Sequence, residues 1–271
     1  MTVVLAAIDT TPSAVSVVRT AQTLADLLDV STRVIHVREH RDTPPLVAVT
    51  EPDIDLIIVD GDPIDEIIRA SAAPDVVLTV IGARGEPAGP RPAGHTALSV
   101  VERADKPVVL VAPGTSVDAV VGPIQRVLVP LEGTAESSDA VSAALRRFTD
   151  AGVDVIALHV FDVNTVPRFW DQMAHAGNSY ASDFEARWCA VPAADVRLRR
   201  GVAPATIIEV ADDQDVDLIA LGWAQNLAAG RAAIVRAVLA HTIPVLLVPV
   251  GETRDDTTRD DRGDPTGLPA P

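Results

Sequence analysis

The chain has one cysteine, Cys189, so no internal disulfide can form and a fold held by covalent staples is excluded. Aromatic residues make up 3% of the composition, which leaves the 48% hydrophobic fraction to pack as Val, Leu, Ile and Ala. No apolar run approaches the ~20 residues that span a bilayer. Basic residues are scarce: 22 Lys and Arg stand against 38 Asp and Glu, the net charge is −16, and Lys106 is the only lysine. That balance argues against nucleic acid, whose binding needs clustered cations to release counterions, and against anionic membranes. The opening MTVVLAAIDTT has no basic n-region and no small-residue cleavage site. With the lone cysteine, this sets the expectation of a reducing cytoplasm. His40, His175 and His241 show no metal-ligand spacing.

What the chain does have is centred on Val76 to Val111. An apolar run from Val76 to Ile81 ends at Gly82, and a Gly/Pro-rich loop follows to Gly94. Ala97, Leu98, Val100, Val101 and Ala104 then recur at helical spacing, and Pro107 opens a second apolar run, Val108 to Val111. Strand, glycine loop, helix and strand make the parallel βαβ unit of an open α/β sheet. Ligands of such sheets sit beyond the C-terminal ends of the strands, and a glycine loop feeding a helix favours phosphate.

Upstream, Val3–Ile8 reads as a strand ending at Asp9 and Thr10, and Thr11-Pro12 as a helix cap with a first-turn proline. Val34–Val37 and Leu56–Val59 read as strands, with residues 38–53 too broken for a full helix between them. Gly61-Asp62-Pro63 opens a helix with Ile64, Ile67 and Ile68 inward.

Then the plan recurs. Glu132 ends the apolar run Val127–Leu131 as Asp9 ends the first, and His159 stands in a strand as His36 does; both pairs are 123 residues apart. Gly201 repeats Gly61, before a helix starting near Thr206, and Gly222 repeats Gly82, both 140 apart; Pro244 repeats Pro107 at 137. Stepped but internally constant offsets mark a tandem duplication. The expected division is a first domain over 1–113, a linker over 114–125, a second domain over 126–250 and a disordered tail over 251–271. The extra residues of the second half fall around Phe169–Cys189, enough for a helix the first half lacks, with Trp170 and Trp188 packed under it and Cys189 read as a small core residue.

The motifs AAIDTTPSA, VIHV, GDPIDEII and IGARG followed by PVVLV, in this order and spacing, resemble the universal stress protein family over nearly all of Thr2 to Val250, twice. The resemblance implies two tandem doubly wound α/β domains, each a five-stranded parallel sheet in the order 3-2-1-4-5 with flanking helices. It also implies ATP binding, with an acidic residue at the adenine end and a Gly, two residues, Gly, nine residues, Gly, Ser/Thr phosphate loop. On this chain those positions are Asp9, Thr10, Val37, Gly82, Arg84, Gly85, Gly94, His95 and Thr96. The spacing departs from the pattern: eight residues separate Gly85 from Gly94, and His95 intervenes before Thr96. Mg²⁺ would accompany the ATP.

Plainer roles compete with these. Gly82 and Gly85 could serve positive φ, Asp9 could cap a helix, Arg84 could be a solvated loop charge, and His36 and His159 read as structural histidines. The second half departs further, with Glu132 for Asp9, Trp223-Ala224-Gln225 after Gly222 and only Gly230-Arg231 to suggest a phosphate loop. It is expected to be empty, its indole filling the adenine space. No set of nucleophile, base and oxyanion donors is visible, so a non-catalytic adenine-nucleotide sensor or regulator is expected. The readings left open are an interaction or scaffold protein with vestigial pockets, and a slow ATPase. A further protein partner and a homodimer are compatible with either of the first two readings. The two final strands, Val108–Val111 and Val245–Val248, are expected to pair edge to edge as an intramolecular pseudo-dimer.

Overall fold

The computed structural model describes residues 1–38, 55–83, 93–113, 115, 122–132, 135–161, 179, 182–187, 194–223 and 229–250. Arg84, Gly85, Trp170, Trp188, Cys189, most of the linker, all of the expected break at 38–53 except Arg38, and the tail at 251–271 lie outside the described residues.

The first half runs β1 (Val3–Ile8), α1 (Ala14–Leu27), β2 (Ser31–Arg38), β3 (Asp55–Asp60), α2 (Pro63–Ser71), β4 (Val76–Gly82), α3 (His95–Arg103) and β5 (Val108–Val111). The second runs β6 (Arg126–Pro130), α4 (Ala135–Asp150), β7 (Asp154–Phe161), β8 (Asp195–Arg200), α5 (Ala203–Asp213), β9 (Leu218–Trp223), α6 (Ala229–Ala240) and β10 (Val245–Pro249). Within each half all strand pairs are parallel and the order is 3-2-1-4-5. β1 is buried along its whole length, as a strand covered on both faces must be, which is why it reads as an unbroken apolar run.

The halves do not keep separate sheets. β5 and β10 pair antiparallel, Leu246 opposite Val109, and fuse everything into one ten-stranded sheet. Val109 and Leu246 are 0% and 1% exposed, so the edges that would otherwise template stray pairing are consumed by each other. An antiparallel seam that keeps equivalent helices on the same face is a pseudo-two-fold axis normal to the sheet. One core layer joins the sheet to α2 and α3 and also to α5 and α6. The other joins it to α1 and α4, with Phe184 of the helical segment 182–187 buried there. Because the strands of the two halves run in opposite directions, their C-terminal ends lie at opposite ends of the sheet. Thr115 sits between the halves: its carbonyl accepts from Ser16 Oγ at 2.8 Å, and its own hydroxyl reaches the carbonyls of Ala112 and Thr242.

Local chemistry departs from the sequence reading in places. α1 begins at Ala14, not after Thr11, and its N-cap residue Ser13 makes no side-chain cap bond. Asp9 instead closes a tight turn, Oδ1 accepting from the Thr11 N–H at 2.9 Å and the Thr11 hydroxyl at 2.6 Å. The Ser13 hydroxyl, 2.5 Å from Thr11 Oγ1, then donates to it, since the Thr11 proton is already committed. α2 is capped as its sequence suggests, Asp62 accepting from the N–H groups of Ile64 and Asp65. α5 starts at Ala203, a turn earlier than Thr206. β8 is Asp195–Arg200, at the 140-residue offset from β3.

Candidate functional site

In the first half β1 lies between β2 and β4, and the chain leaves β1 toward one face of the sheet and β4 toward the other. That divergence opens a crevice at the C-terminal ends. The Gly94 N–H donates to the Ala83 carbonyl, which brings the start of α3 back against the end of β4. The result is a cavity of about 400 Å³ lined by Asp9, Thr10, Val37, Gly82, Gly94, His95 and Thr96. All the sequence-predicted site residues that are described therefore meet around one space, although they come from three separate parts of the chain.

The glycines gain definition here. Gly82 is absent from the glycines with positive φ, and a Cβ added to it would stand 3.6 Å from Val17 Cγ2, an ordinary contact. Gly94 is extended, with φ −65° and ψ 162°. Neither conformation demands glycine, so the positive-φ role fails at Gly82; what the missing side chains leave is room in the cavity. Gly94 is also the N-cap of α3 and supplies no side-chain acceptor. The first-turn N–H groups of that helix therefore face the cavity end without a side-chain cap, with the positive end of the helix dipole behind them.

His36 is structural through one ring nitrogen only. It is 5% exposed, and its Nδ1 lies 3.1 Å from the Ile8 carbonyl, which can only accept, so Nδ1 carries the proton. Nε2 is then a bare lone pair in the neutral ring, buried with no partner among the described residues, in a side chain that lines the cavity. The signal was in VIHV, but which ring nitrogen is left over is set by the β1–β2 register, which a motif does not state.

The second half carries the same cavity. It measures about 520 Å³ and is lined by Leu131, Glu132, His159, Val160, Ile207, Leu221, Gly222 and Trp223, the repeat counterparts of Ile8, Asp9, His36, Val37, Ile67, Ile81, Gly82 and Ala83. Two expectations are corrected. Trp223 is 2% exposed and lines the space without closing it. Gly230 and Arg231 lie inside α6 and form no phosphate loop, because α6 begins at Ala229, right after a short crossover. Even the histidine anchoring repeats, His159 Nδ1 lying 2.8 Å from the Leu131 carbonyl.

The universal stress protein family model matches residues 46–112 and 123–249, most of the chain. The chain belongs to the universal stress protein family. Among solved structures it is similar to a universal stress protein from Archaeoglobus fulgidus DSM 4304, at 16% identity over 92% of this chain and 98% of that one, with a TM-score of 0.65. It is also similar to a protein of unknown function from Pseudomonas aeruginosa PAO1, at 14% identity over 91% and 92%, with a TM-score of 0.62. A universal stress protein crystallised in complex with cAMP matches 47% of this chain and 98% of its own, at 20% identity and a TM-score of 0.34. No curated protein matches. The family match starts at residue 46, yet the two similar folds span over nine-tenths of the chain, so β1, α1 and β2 belong to the same architecture. No helix among the described residues is long and apolar enough to cross a membrane.

Proposed function

We propose that this universal stress protein binds an adenine nucleotide, ATP, in the first-half cavity and acts as a non-catalytic sensor or regulator in the cytoplasm. The observation that carries the reading is the convergence of Asp9, Val37, Gly82 and Gly94–Thr96 on one cavity beside an uncapped helix start. The adenine would lie at Asp9 and Val37, and the phosphates against Gly82 and Gly94–Thr96. The residues fit such a ligand: the N–H groups at the start of α3 have no side-chain cap and would meet phosphate oxygens, and Asp9 and Val37 line the other end of the cavity. Among the described residues no cluster of His, Cys, Asp and Glu could hold a metal by itself, so Mg²⁺ would arrive on the phosphates.

The test is calorimetric titration of the whole chain with ATP and AMP, with and without Mg²⁺. Saturable binding of ATP, lost in Gly94→Val, is the expected result. Absence of heat with both nucleotides, in protein that also carries none from purification, would leave the interaction-protein reading in its place.

A further inference from the structure

We propose that β3 is the docking strand for a second copy of this chain, and that two copies extend the sheet through it across a two-fold axis. The sheet ends in β3 on one side and β8 on the other, repeat counterparts that are built differently. β3 reads Asp55-Leu56-Ile57-Ile58-Val59-Asp60, and β8 reads Asp195-Val196-Arg197-Leu198-Arg199-Arg200. β8 is blunted as sheet edges usually are: Arg199 and Arg200 are exposed, and Arg197 pairs with Asp195 at 2.7 Å. β3 has no such guard. Ile57 and Ile58 are 38% and 48% exposed, and no other large apolar side chain of a described strand is left so open. Leu56 packs toward the α1 layer and Val59 toward the α2 layer, so alternation puts Ile58 and Ile57 on opposite faces of one rim. Every second residue of β3 also turns its N–H and C=O away from β2.

The occupant follows from how the chain treats its other apolar edges. β5 and β10 pair antiparallel with the repeat counterparts Val109 and Leu246 opposed. The same operation on β3 sets Ile57 against Ile57 of a second copy. Leu56 then meets Ile58 of that copy, and Ile58 meets its Leu56, so the centre of the contact is made of apolar cross-strand pairs. Asp55 meets Val59, so no two carboxylates are opposed. Asp55 and Asp60 each stand 2.9 Å from an arginine of β2, Arg33 and Arg38, so the strand ends enter as ion pairs and not as bare charges. The contact is isologous, β8 is charged, and β5 and β10 are consumed; assembly therefore stops at two copies. It centres on one six-residue strand, at the low end of specific interfaces, below about 1,200 Å². Each copy carries a net charge of −16. The dimer is therefore weak, and salt strengthens it by screening the repulsion.

The test is sedimentation equilibrium of the full chain without nucleotide, up to high micromolar concentration, at low and high salt. The expected result is a reversible monomer–dimer equilibrium that tightens with salt, with amide exchange at Asp55–Asp60 slowing as the dimer fills. Ile57→Lys sets two ammonium groups face to face, and Ile58→Lys breaks the flanking pairs. Both positions are exposed, so each variant should melt like wild type while dimerising at least about tenfold more weakly. Arg199→Ser, on the guarded edge, should dimerise as wild type does. The proposal is overturned by a chain that stays monomeric in both salts, by species that grow beyond two copies, by a dimer without protection at β3, or by one that Ile57→Lys and Ile58→Lys leave intact. Omitting nucleotide keeps the result independent of the nucleotide reading.

Discussion

The first and second cavities of this chain stand on equivalent strand ends, beneath equivalent histidines, 123 residues apart and each tied to a β-strand carbonyl. They differ in what surrounds those anchors. The first is rimmed by Asp9, Thr10, Ser13, His95 and Thr96 at a glycine-capped helix; the second is walled by Phe161, Trp223 and Ile234 at a short crossover. The shared backbone plan places both cavities, and a handful of substitutions plus one loop length set their walls apart.

Whether the halves are one body can be broken most severely at the seam. Val109→Asp or Leu246→Asp places a carboxylate at a buried pairing position with no cation opposite. Each should cost about 3–5 kcal/mol, the penalty of an uncompensated buried charge. The two should cost the same, because the residues face each other across a pseudo-two-fold axis. Chemical denaturation measures this, and scattering should show an expanded particle; two variants as stable and compact as wild type would mean the seam does not hold the halves together.

The difference between the sites is sharpened by paired glycine changes. Gly94→Val should reduce ATP affinity at least a hundredfold by filling the cavity end, while Gly222→Val should leave ATP binding unchanged. Equal losses in both would place the nucleotide wrongly or in both halves.

A smaller comparison lies at the repeated glycines before α2 and α5. A Cβ on Gly201 would meet Thr206 Oγ1 at 2.3 Å; one on Gly61, whose φ is +157°, would meet Glu66 Cγ at 3.0 Å. Glu66 and Thr206 are repeat counterparts, so the same fold-back is made by different side chains. Gly201→Ala and Gly61→Ala should each cost about 1–3 kcal/mol. Thr206→Ala should rescue the first, since it removes the clashing atom, but Glu66→Ala should rescue the second only in part, because the backbone remains outside the range favoured by L residues. Thermal melts of the four variants decide it.

The smallest effect is electrostatic. Arg33 donates to Asp55 at 2.9 Å and Asp75 at 2.8 Å, and its hydrogen bond holds the Asp75 carboxyl below the usual carboxylate range. A depressed folded pKa means stability present above the unfolded value of about 3.9 and lost as pH falls through the folded one. The second half has Ile156 at the matching position, with no such pair. Wild type should therefore exceed Asp75→Asn in stability at neutral pH, and the gap should close in acid; a gap constant with pH would show that the ion pair contributes nothing.

Most of the fold was legible because parallel strands buried on both faces leave unbroken apolar runs and because duplication prints them twice. The seam was legible for a related reason: Val108–Val111 and Val245–Val248 are uncharged, and such edges need covering. β8 is hard to read in the sequence because DVRLRR carries only two apolar residues, Val196 and Leu198; only its 140-residue offset from Asp55–Asp60 marks it as a strand. The lining of the first cavity was legible residue by residue, since Asp9, Gly82 and Gly94 announce themselves by type. The second was not. A cavity is a volume left between elements, and no residue type encodes it; Trp223 suggested a filled space, whereas the strand and helix positions hold the indole in the wall. Gly230 looked like loop chemistry, but the crossover is too short to spare it from the helix.

The seam has a consequence for the chain while it is being made. Val108–Val111 leaves the ribosome with its sheet partner β10 still unwritten, and residues 112–244, 133 in all, must follow before Val245 appears. At about 5–20 residues per second that is roughly 7–27 s. For that interval the first half exists with a naked valine strand on its flank, and neighbouring nascent chains on one message carry the same strand. Antiparallel pairing between two such strands would reproduce the seam geometry with the wrong partner. The yield of correctly paired chains should therefore depend on translation speed and on spacing between ribosomes, even when the finished protein is stable.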